Sequence, residues 1–575
     1  MGSSGFDHSV DVLVVGSGNG AMTAALCCYE MGVQDVLLVE KGEKLGGTSA
    51  MSGGGVWVPN NRYAKAAGAQ DSFEEAREYL RQTIPSNQVP DEMLDAYLQH
   101  APEMVDFLHE KTRVRYMSLE HYPDYYTDLP GAKPGHRSME PEPVDASELG
   151  EDFDHIHLTH HMMRMFGHIH FTQTEAALLA ARAPGWFGLT LKLVSKWLLD
   201  LPWLIRTRTA RRLCTGSAGV TRLLLSLKDR NIPIWREAPM LELLSDGGRV
   251  VGALVRRGEE TLRIEARRGV VLAAGGFEHN QQMREQYLPK PTNTAWSAGA
   301  KTNTGDAIRA GIAVGAATRQ MDGAWWCTTL VTPGEPVPRL AIMEKSLPGG
   351  VVVNRNGNRI GNESQNYMAY QLALFDKHSE AEPCSPAFHV FDARFRKSYI
   401  AGPLMTPDMK PDWSIPKQWF DEQFVAKADT LDELAQQMGI DADNLKATVA
   451  RMNEYAQTGK DLEFGRGDVA YDRYYGDASV TPNPCLAPIE EAPFYAMRIE
   501  AGDFGTHGGL ATNTDGRVLS AEGGAIDGLY AVGNCSAAIL PTYPGPGATL
   551  GPAMTFAYQA AKHISGLEPQ QEVVG

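Results

Sequence analysis

Short, wholly apolar runs ended by glycine recur along this chain, and they predict buried parallel strands joined by tight turns. Residues 10–15 read Val-Asp-Val-Leu-Val-Val and stop at Gly16. A run of that length, ended by glycine, suits a buried strand. Residues 21–31 are helix formers, so a strand-to-helix turn holds Gly16, Ser17, Gly18, Asn19 and Gly20. A second apolar run, 36–39, ends in Glu40. Two later runs are alike: 270–274 ends at Ala274 and Gly275, and 529–532 ends at Gly533 and Asn534. Between them, strand-like runs at 350–353 and 387–390 precede charged helical stretches at 430–438 and 442–457.

The first unit has the chemistry of a dinucleotide site. Gly16 allows the tight turn, Gly18 lets backbone approach a pyrophosphate, and Ala21 is small enough for close helix–strand packing. Free N–H groups and the dipole at the helix start favour the anion. Glu40 stands where an acid accepts hydrogen bonds from a ribose diol. Lys41 follows, and then Gly46-Gly47-Thr48-Ser49, a cluster able to fold into N–H nests. Glu-Lys followed by Gly-Gly-Thr resembles the FAD-binding module of the fumarate reductase and succinate dehydrogenase superfamily. That resemblance implies FAD, held also by Ala274, Gly275, Gly533, Asn534 and Leu550.

Bulk properties narrow the class. At 575 residues the chain needs two or three domains. A net charge of -17 argues against a nucleic-acid binder. Seven scattered cysteines without a CxxC form no disulfide framework or iron–sulfur set, which suits a reducing, cytoplasmic setting. No metal site is expected. The expected fold is α/β: a Rossmann-type FAD-binding domain built from both chain ends (1–145, 213–300 and 497–575), with an inserted α+β catalytic or capping domain at 301–496. Residues 146–212 stand apart as an insertion.

Gly46-Gly47-Thr48-Ser49-Ala50, Pro123-Asp124-Tyr125-Tyr126, Asn362-Glu363-Ser364-Gln365-Asn366-Tyr367 and Tyr543-Pro544-Gly545-Pro546-Gly547 together resemble the flavin-dependent 3-ketosteroid Δ1-dehydrogenases. The resemblance spans about 10–145 and 213–565. It implies that Tyr543 and the N–H of Gly547 hydrogen-bond the C3 carbonyl oxygen. It further implies that Tyr367 takes a proton from C2, that Tyr125 supports Tyr367, and that the flavin takes hydride from C1. The chemistry is coherent, because donors aimed at the carbonyl oxygen stabilise the charge that develops as the α proton leaves. Tyr122 and Tyr126 are rivals for the place of Tyr125. The implied partners are a 3-ketosteroid and a quinone-like or protein electron acceptor. His507 falls either at the flavin's pyrimidine edge, where positive charge would tune its potential, or on the surface.

Two alternatives lie within the superfamily: a 3-ketosteroid 4-dehydrogenase acting on 5α-steroids, and a fumarate-reductase-like enzyme. Tyr, Pro and Gly near residue 545 leave a dicarboxylate without a cationic clamp. A third alternative is a non-enzymatic membrane flavoprotein.

The insertion has two halves. His155, His157, His160, His161, His168 and His170 crowd the first, and an exposed strand explains them better than a metal. The second, 186–206, carries three of the ten tryptophans. From Lys192 to Arg212 there are six basic residues against Asp200 alone. Tryptophan, leucine and flanking cations are the composition of a helix lying in a membrane surface, so peripheral membrane contact is the favoured expectation. The rival is a cover over the substrate mouth. A C17 side chain on the steroid would find apolar surroundings here.

Overall fold

The computed structural model describes residues 5–180 and 184–567. Residues 1–4, 181–183 and 568–575, parts of the first FAD segment, the insertion and the last FAD segment as read above, lie outside the described residues.

A central sheet is assembled from distant parts of the chain. Strand β1 (His8–Val15) leads into helix α1 (Asn19–Glu30), and β2 (Val36–Val39) returns parallel to β1. On its other side β1 pairs in parallel with β3 (Glu260–Leu272), whose far end pairs with β4 (Ala525–Ala531). Val12 to Val15 and Val36 to Val39 are buried throughout. Full burial of each Val or Leu is worth about 1.5–3 kcal/mol, so these runs can occupy only the sheet interior. Helix α2 (Leu550–Ser565) packs on α1, which brings the C-terminus to the N-terminal strand.

The four parallel strands end together, at Gly16, Glu40, Ala273 and Val532, and all four residues or their neighbours line one cavity. Ligands of open α/β sheets bind at such carboxyl ends. At Gly16, φ is +112° and a Cβ would sit 2.2 Å from the Ala273 carbonyl oxygen. The β1–β3 spacing therefore excludes any side chain there.

The middle of the chain forms a second, antiparallel sheet. Its order is 350–353, 387–391, 494–499, 425–428, and helices Leu431–Met438 and Ala442–Thr458 back it. Each of the strand and helix runs read from the sequence there is present within a residue or two.

The insertion leaves and returns at one point, where Val144–Asp145 pairs with Arg212–Leu213. Its apolar stretch forms two helices, Trp186–Leu199 and Leu201–Arg206, the second with Pro202 in its first turn. The histidines do not form one strand. His161–Met163 is a short 3-10 turn, and His170 ends a two-residue strand.

Candidate active site

One cavity of about 1480 Å³ runs from the strand ends to the insertion. Its walls include Gly16, Ser17, Gly18, Asn19, Gly20, Glu40, Lys41, Gly47, Thr48, Ser49, Ala274, Gly275, Gly533, Asn534 and Leu550. The same cavity is lined by Tyr125, Tyr367, Tyr543 and Gly547. Two residues expected at the cofactor are placed differently. Ala21 is fully buried within α1, and Gly46 turns towards Ala50 and Val220. Both shape the cradle from behind.

The cradle suits a dinucleotide. Glu40 accepts from the Ser17 hydroxyl at 2.5 Å and the Gly42 N–H at 2.7 Å, which fixes its carboxylate. Burial raises its pKa, and these donors oppose the shift. Asn19 is 2% exposed and its Oδ1 has no partner, although it lines the cavity. A buried amide left open in this way is completed by a ligand. Thr48 is set as a donor. Its oxygen already accepts from Ala300 N–H at 2.9 Å and Asn303 Nδ2 at 3.1 Å, so its own proton points elsewhere. Asn303 is oriented in turn by buried Glu278, at 2.6 Å.

The three tyrosines meet deep in the same cavity. The Tyr125 hydroxyl donates to Tyr367 at 3.0 Å. Ring centroids lie 5.4 Å apart for Tyr125–Tyr367, and 5.6 Å apart for Tyr367–Tyr543 and Tyr125–Tyr543. Of the two rivals of Tyr125, Tyr126 donates to the Thr542 carbonyl at 2.8 Å, whereas Tyr122 lines the same cavity beside Tyr125, with ring centroids 6.4 Å apart, and meets the Tyr475 hydroxyl at 2.8 Å. Tyr367 opens the helix Tyr367–Lys377, capped by Asn366. Phe504 and Trp325 close the apolar wall around Tyr543.

Tyr543 has φ +56°, in the left-handed region. For a non-glycine residue this costs on the order of 1–3 kcal/mol and persists only where the surroundings impose it. They do so here. The Pro544 carbonyl accepts from Tyr79 at 2.6 Å and from the Tyr125 N–H at 2.9 Å, and Pro546 accepts from Ser138 at 2.7 Å. At Gly547 (φ +98°) a Cβ would lie 2.4 Å from the Gly55 backbone. Its N–H reaches the Tyr543 hydroxyl, so two donors converge on one spot.

Burial raises the pKa of all three phenols. For Tyr543 that preserves the proton needed for donation. For Tyr367 it opposes ionisation, and the Tyr125 hydrogen bond works the other way.

Several supporting residues carry no motif of their own. Buried Lys345 donates to the carbonyls of Glu363 at 2.7 Å and Gln365 at 3.0 Å, just ahead of Tyr367. Arg466 binds the Ser364 hydroxyl at 3.0 Å, and Arg359 pairs with Glu363 and Asp461. These groups lie up to 121 residues apart in sequence, so only hydrophobic-to-charged contrast in an apolar core would have marked them.

His507 is buried against Trp325, and burial pushes its pKa down to about 4. It is therefore neutral at pH 7, neither on the surface nor a positive charge. His160 and His161 stack on the cavity wall and tie the insertion to the middle of the chain, through Pro338 O and Glu335, each at 2.9 Å.

The FAD binding domain family matches residues 11–550. A 3-oxosteroid 1-dehydrogenase of Mycobacterium tuberculosis is 40% identical, with 96% of this chain and 98% of that protein covered. A 4-oxocyclohexanecarboxylate 2-dehydrogenase of Sinomonas cyclohexanicum is 37% identical, covering 97% and 93%. The crystal structure of a 3-ketosteroid Δ1-dehydrogenase from Sterolibacterium denitrificans, in complex with 1,4-androstadiene-3,17-dione, superposes with a TM-score of 0.94. It is 46% identical, over 98% of this chain and all of that one.

Proposed function

Since the chain belongs to the FAD-binding flavoprotein family that includes the 3-oxosteroid 1-dehydrogenases, we propose that it introduces a C1=C2 double bond into 3-ketosteroids. The observation that carries this reading is the convergence of three phenols and the Gly547 N–H in the cavity that also holds the cofactor cradle. Bound FAD supplies the acceptor for the hydride that leaves C1.

The chain's own groups do the rest. Tyr543 and the Gly547 N–H donate to the C3 carbonyl oxygen, where negative charge grows as the C2 proton departs. Preorganised donors in a dry site lower that barrier by a few kcal/mol each. Tyr367 receives the C2 proton, and Tyr125 donates to its oxygen and so favours the phenolate. Phe504, Trp325 and the other apolar walls keep water from the reacting carbons. A quinone-like or protein acceptor takes the electrons in the second half of the cycle.

The test is anaerobic mixing of the yellow protein with androst-4-ene-3,17-dione. Flavin absorbance is expected to bleach, with the 1,4-diene as product. Turnover of 4-oxocyclohexanecarboxylate in its place would favour a smaller ketone. Product spectra separate C1–C2 from C4–C5 desaturation, and succinate oxidation would revive the dicarboxylate reading.

The insertion serves both a membrane and the mouth. No helix among the described residues is long and apolar enough to cross a bilayer. Trp186 and Phe187 line the cavity, while Leu191, Leu198, Leu199, Leu201 and Ile205 are exposed, Leu199 and Ile205 by 79% and 88%. Lys192, Lys196 and Arg208 stay exposed beside them, whereas Arg206, Arg211 and Arg212 are paired with acids. That face suits a lipid surface carrying anionic headgroups. Two tryptophans are turned inward: Trp203 is buried against Phe153, and Trp197 stacks on His168. The anchoring side chains are therefore the leucines and Ile205. Purified protein is expected to float with vesicles containing anionic lipid, and replacing Leu198, Leu199 and Ile205 with Ser should release it. Wild-type protein left at the bottom of the gradient would refute the membrane role.

A further inference from the structure

Arg164 is a charge on the cavity wall that the reaction above does not use. It lies in the insertion, on Arg164–Met165, which pairs with Ile169–His170. Its side chain lines the cavity and is partly exposed there, and its Nε is buried without a hydrogen-bond partner. No acid answers it among the described residues, and burial alone lowers its basicity. The other cations on the wall differ. Lys41 meets Asp306 at 2.5 Å, and Arg339 and His161 both meet Glu335, at 2.6 and 2.9 Å. Lys410 lies over the Trp419 ring at 4.1 Å.

The surroundings of Arg164 make the missing anion conspicuous. Its basic neighbours His168 and His170 are pushed towards neutrality, first by burial and then by the Arg164 charge. Met163, Met165, Phe166 and Phe171 provide apolar wall on the same stretch. A guanidinium withdrawn from water without a counter-ion is costly. The cost is offset when a ligand brings the anion, and the planar fork of N–H groups matches two carboxylate oxygens. The ligand that fits has an apolar body and one anionic end. The tyrosines and Arg164 line the same cavity, so a ligand whose ketone ring is at the tyrosines has this cation on its wall.

We propose that Arg164 binds the carboxylate of a C17 side chain, so that 3-ketosteroid acids are the substrate class this cavity selects. The proposal rests on the ketosteroid reading above. Its test compares three substrates, 3-oxochol-4-en-24-oic acid, the methyl ester of that acid and androst-4-ene-3,17-dione, on wild-type enzyme and on Arg164→Met and Arg164→Lys. Hydrogen bonds to charged groups are worth roughly 10- to 100-fold. Wild-type kcat/KM is expected to be at least about tenfold higher for the acid than for the ester. Arg164→Met should bring that ratio close to one, and Arg164→Lys should restore part of it. A wild-type enzyme that treats acid and ester alike overturns the proposal, whatever becomes of the variants. So does an acid preference that survives in Arg164→Met. Turnover of the dione in those cases leaves the ketosteroid reading standing, whereas no turnover of any of the three overturns both.

Discussion

Replacing Tyr543 with Phe is expected to lower turnover by about two to three orders of magnitude while FAD stays bound. The ring and its packing against Trp325, Tyr125 and Phe504 are kept, so only the hydroxyl group is lost. Removing one preorganised donor from such a site costs about 100- to 1000-fold in kcat, on the order of 2.7–4 kcal/mol. The Gly547 N–H remains and accounts for residual activity. The left-handed backbone at Tyr543 is imposed by the carbonyl contacts of Pro544 and Pro546, not by the hydroxyl, so the motif should hold its shape. Stopped-flow reduction by androst-4-ene-3,17-dione, with flavin absorbance to check occupancy, decides the matter. A rate near wild type would remove Tyr543 from the carbonyl.

Replacing Tyr367 with Phe should abolish flavin reduction more completely, because no second base stands in its place. Tyr125 donates to Tyr367, and its own pKa is raised by burial and by the neighbouring phenols. Tyr125→Phe should therefore be the milder lesion. Burial holds the Tyr367 phenol protonated well above the ordinary value of about 10. The active phenolate becomes more populated as pH rises, so the reduction rate of wild-type enzyme should climb from pH 6 through pH 9 without levelling. Stability moves the opposite way. The unfolded phenol ionises from about pH 10 whereas the buried one stays protonated, so the contribution of Tyr367 to folding is intact below that pH and is lost as pH rises above it. A flat pH profile of the reduction rate would assign proton removal to another group.

The two lesions differ in what they leave behind. Tyr543→Phe spares the base and should keep a measurable, slow bleaching phase. Tyr367→Phe spares both donors, so the ketosteroid should still bind and perturb the flavin spectrum without reducing it. Binding without reduction is thus the signature that separates the base from the donors.

Much of this was legible along the chain. The runs at 10–15 and 36–39 became buried strands because wholly apolar segments of that length have only a sheet interior to occupy. The glycine turn and Glu40 fell at the strand ends because helix and strand must pack closely there. The tyrosine motifs could be named because each sits in its own string of Pro, Gly or Asn. What local pattern could not express was convergence. Tyr125 and Tyr367 are 242 residues apart yet share a hydrogen bond, and the choice of Tyr125 over Tyr122 and Tyr126 depends on which phenol the fold brings to the Tyr367 hydroxyl. Lys345, Arg466 and Glu278 look like ordinary charges in sequence. Their roles come from burial, which makes an unpaired charge costly and so forces each to find a partner. Exposure, too, is a property of the packed fold and not of the residue: Trp203, in the apolar stretch expected at a membrane surface, is buried against Phe153, and His507 is buried against Trp325 rather than on the surface. The sequence by itself determined which strands and turns exist and which chemistry they carry. Tertiary structure alone decided which side chains meet, because contacts between distant segments are chosen by the burial of surfaces that no local stretch contains.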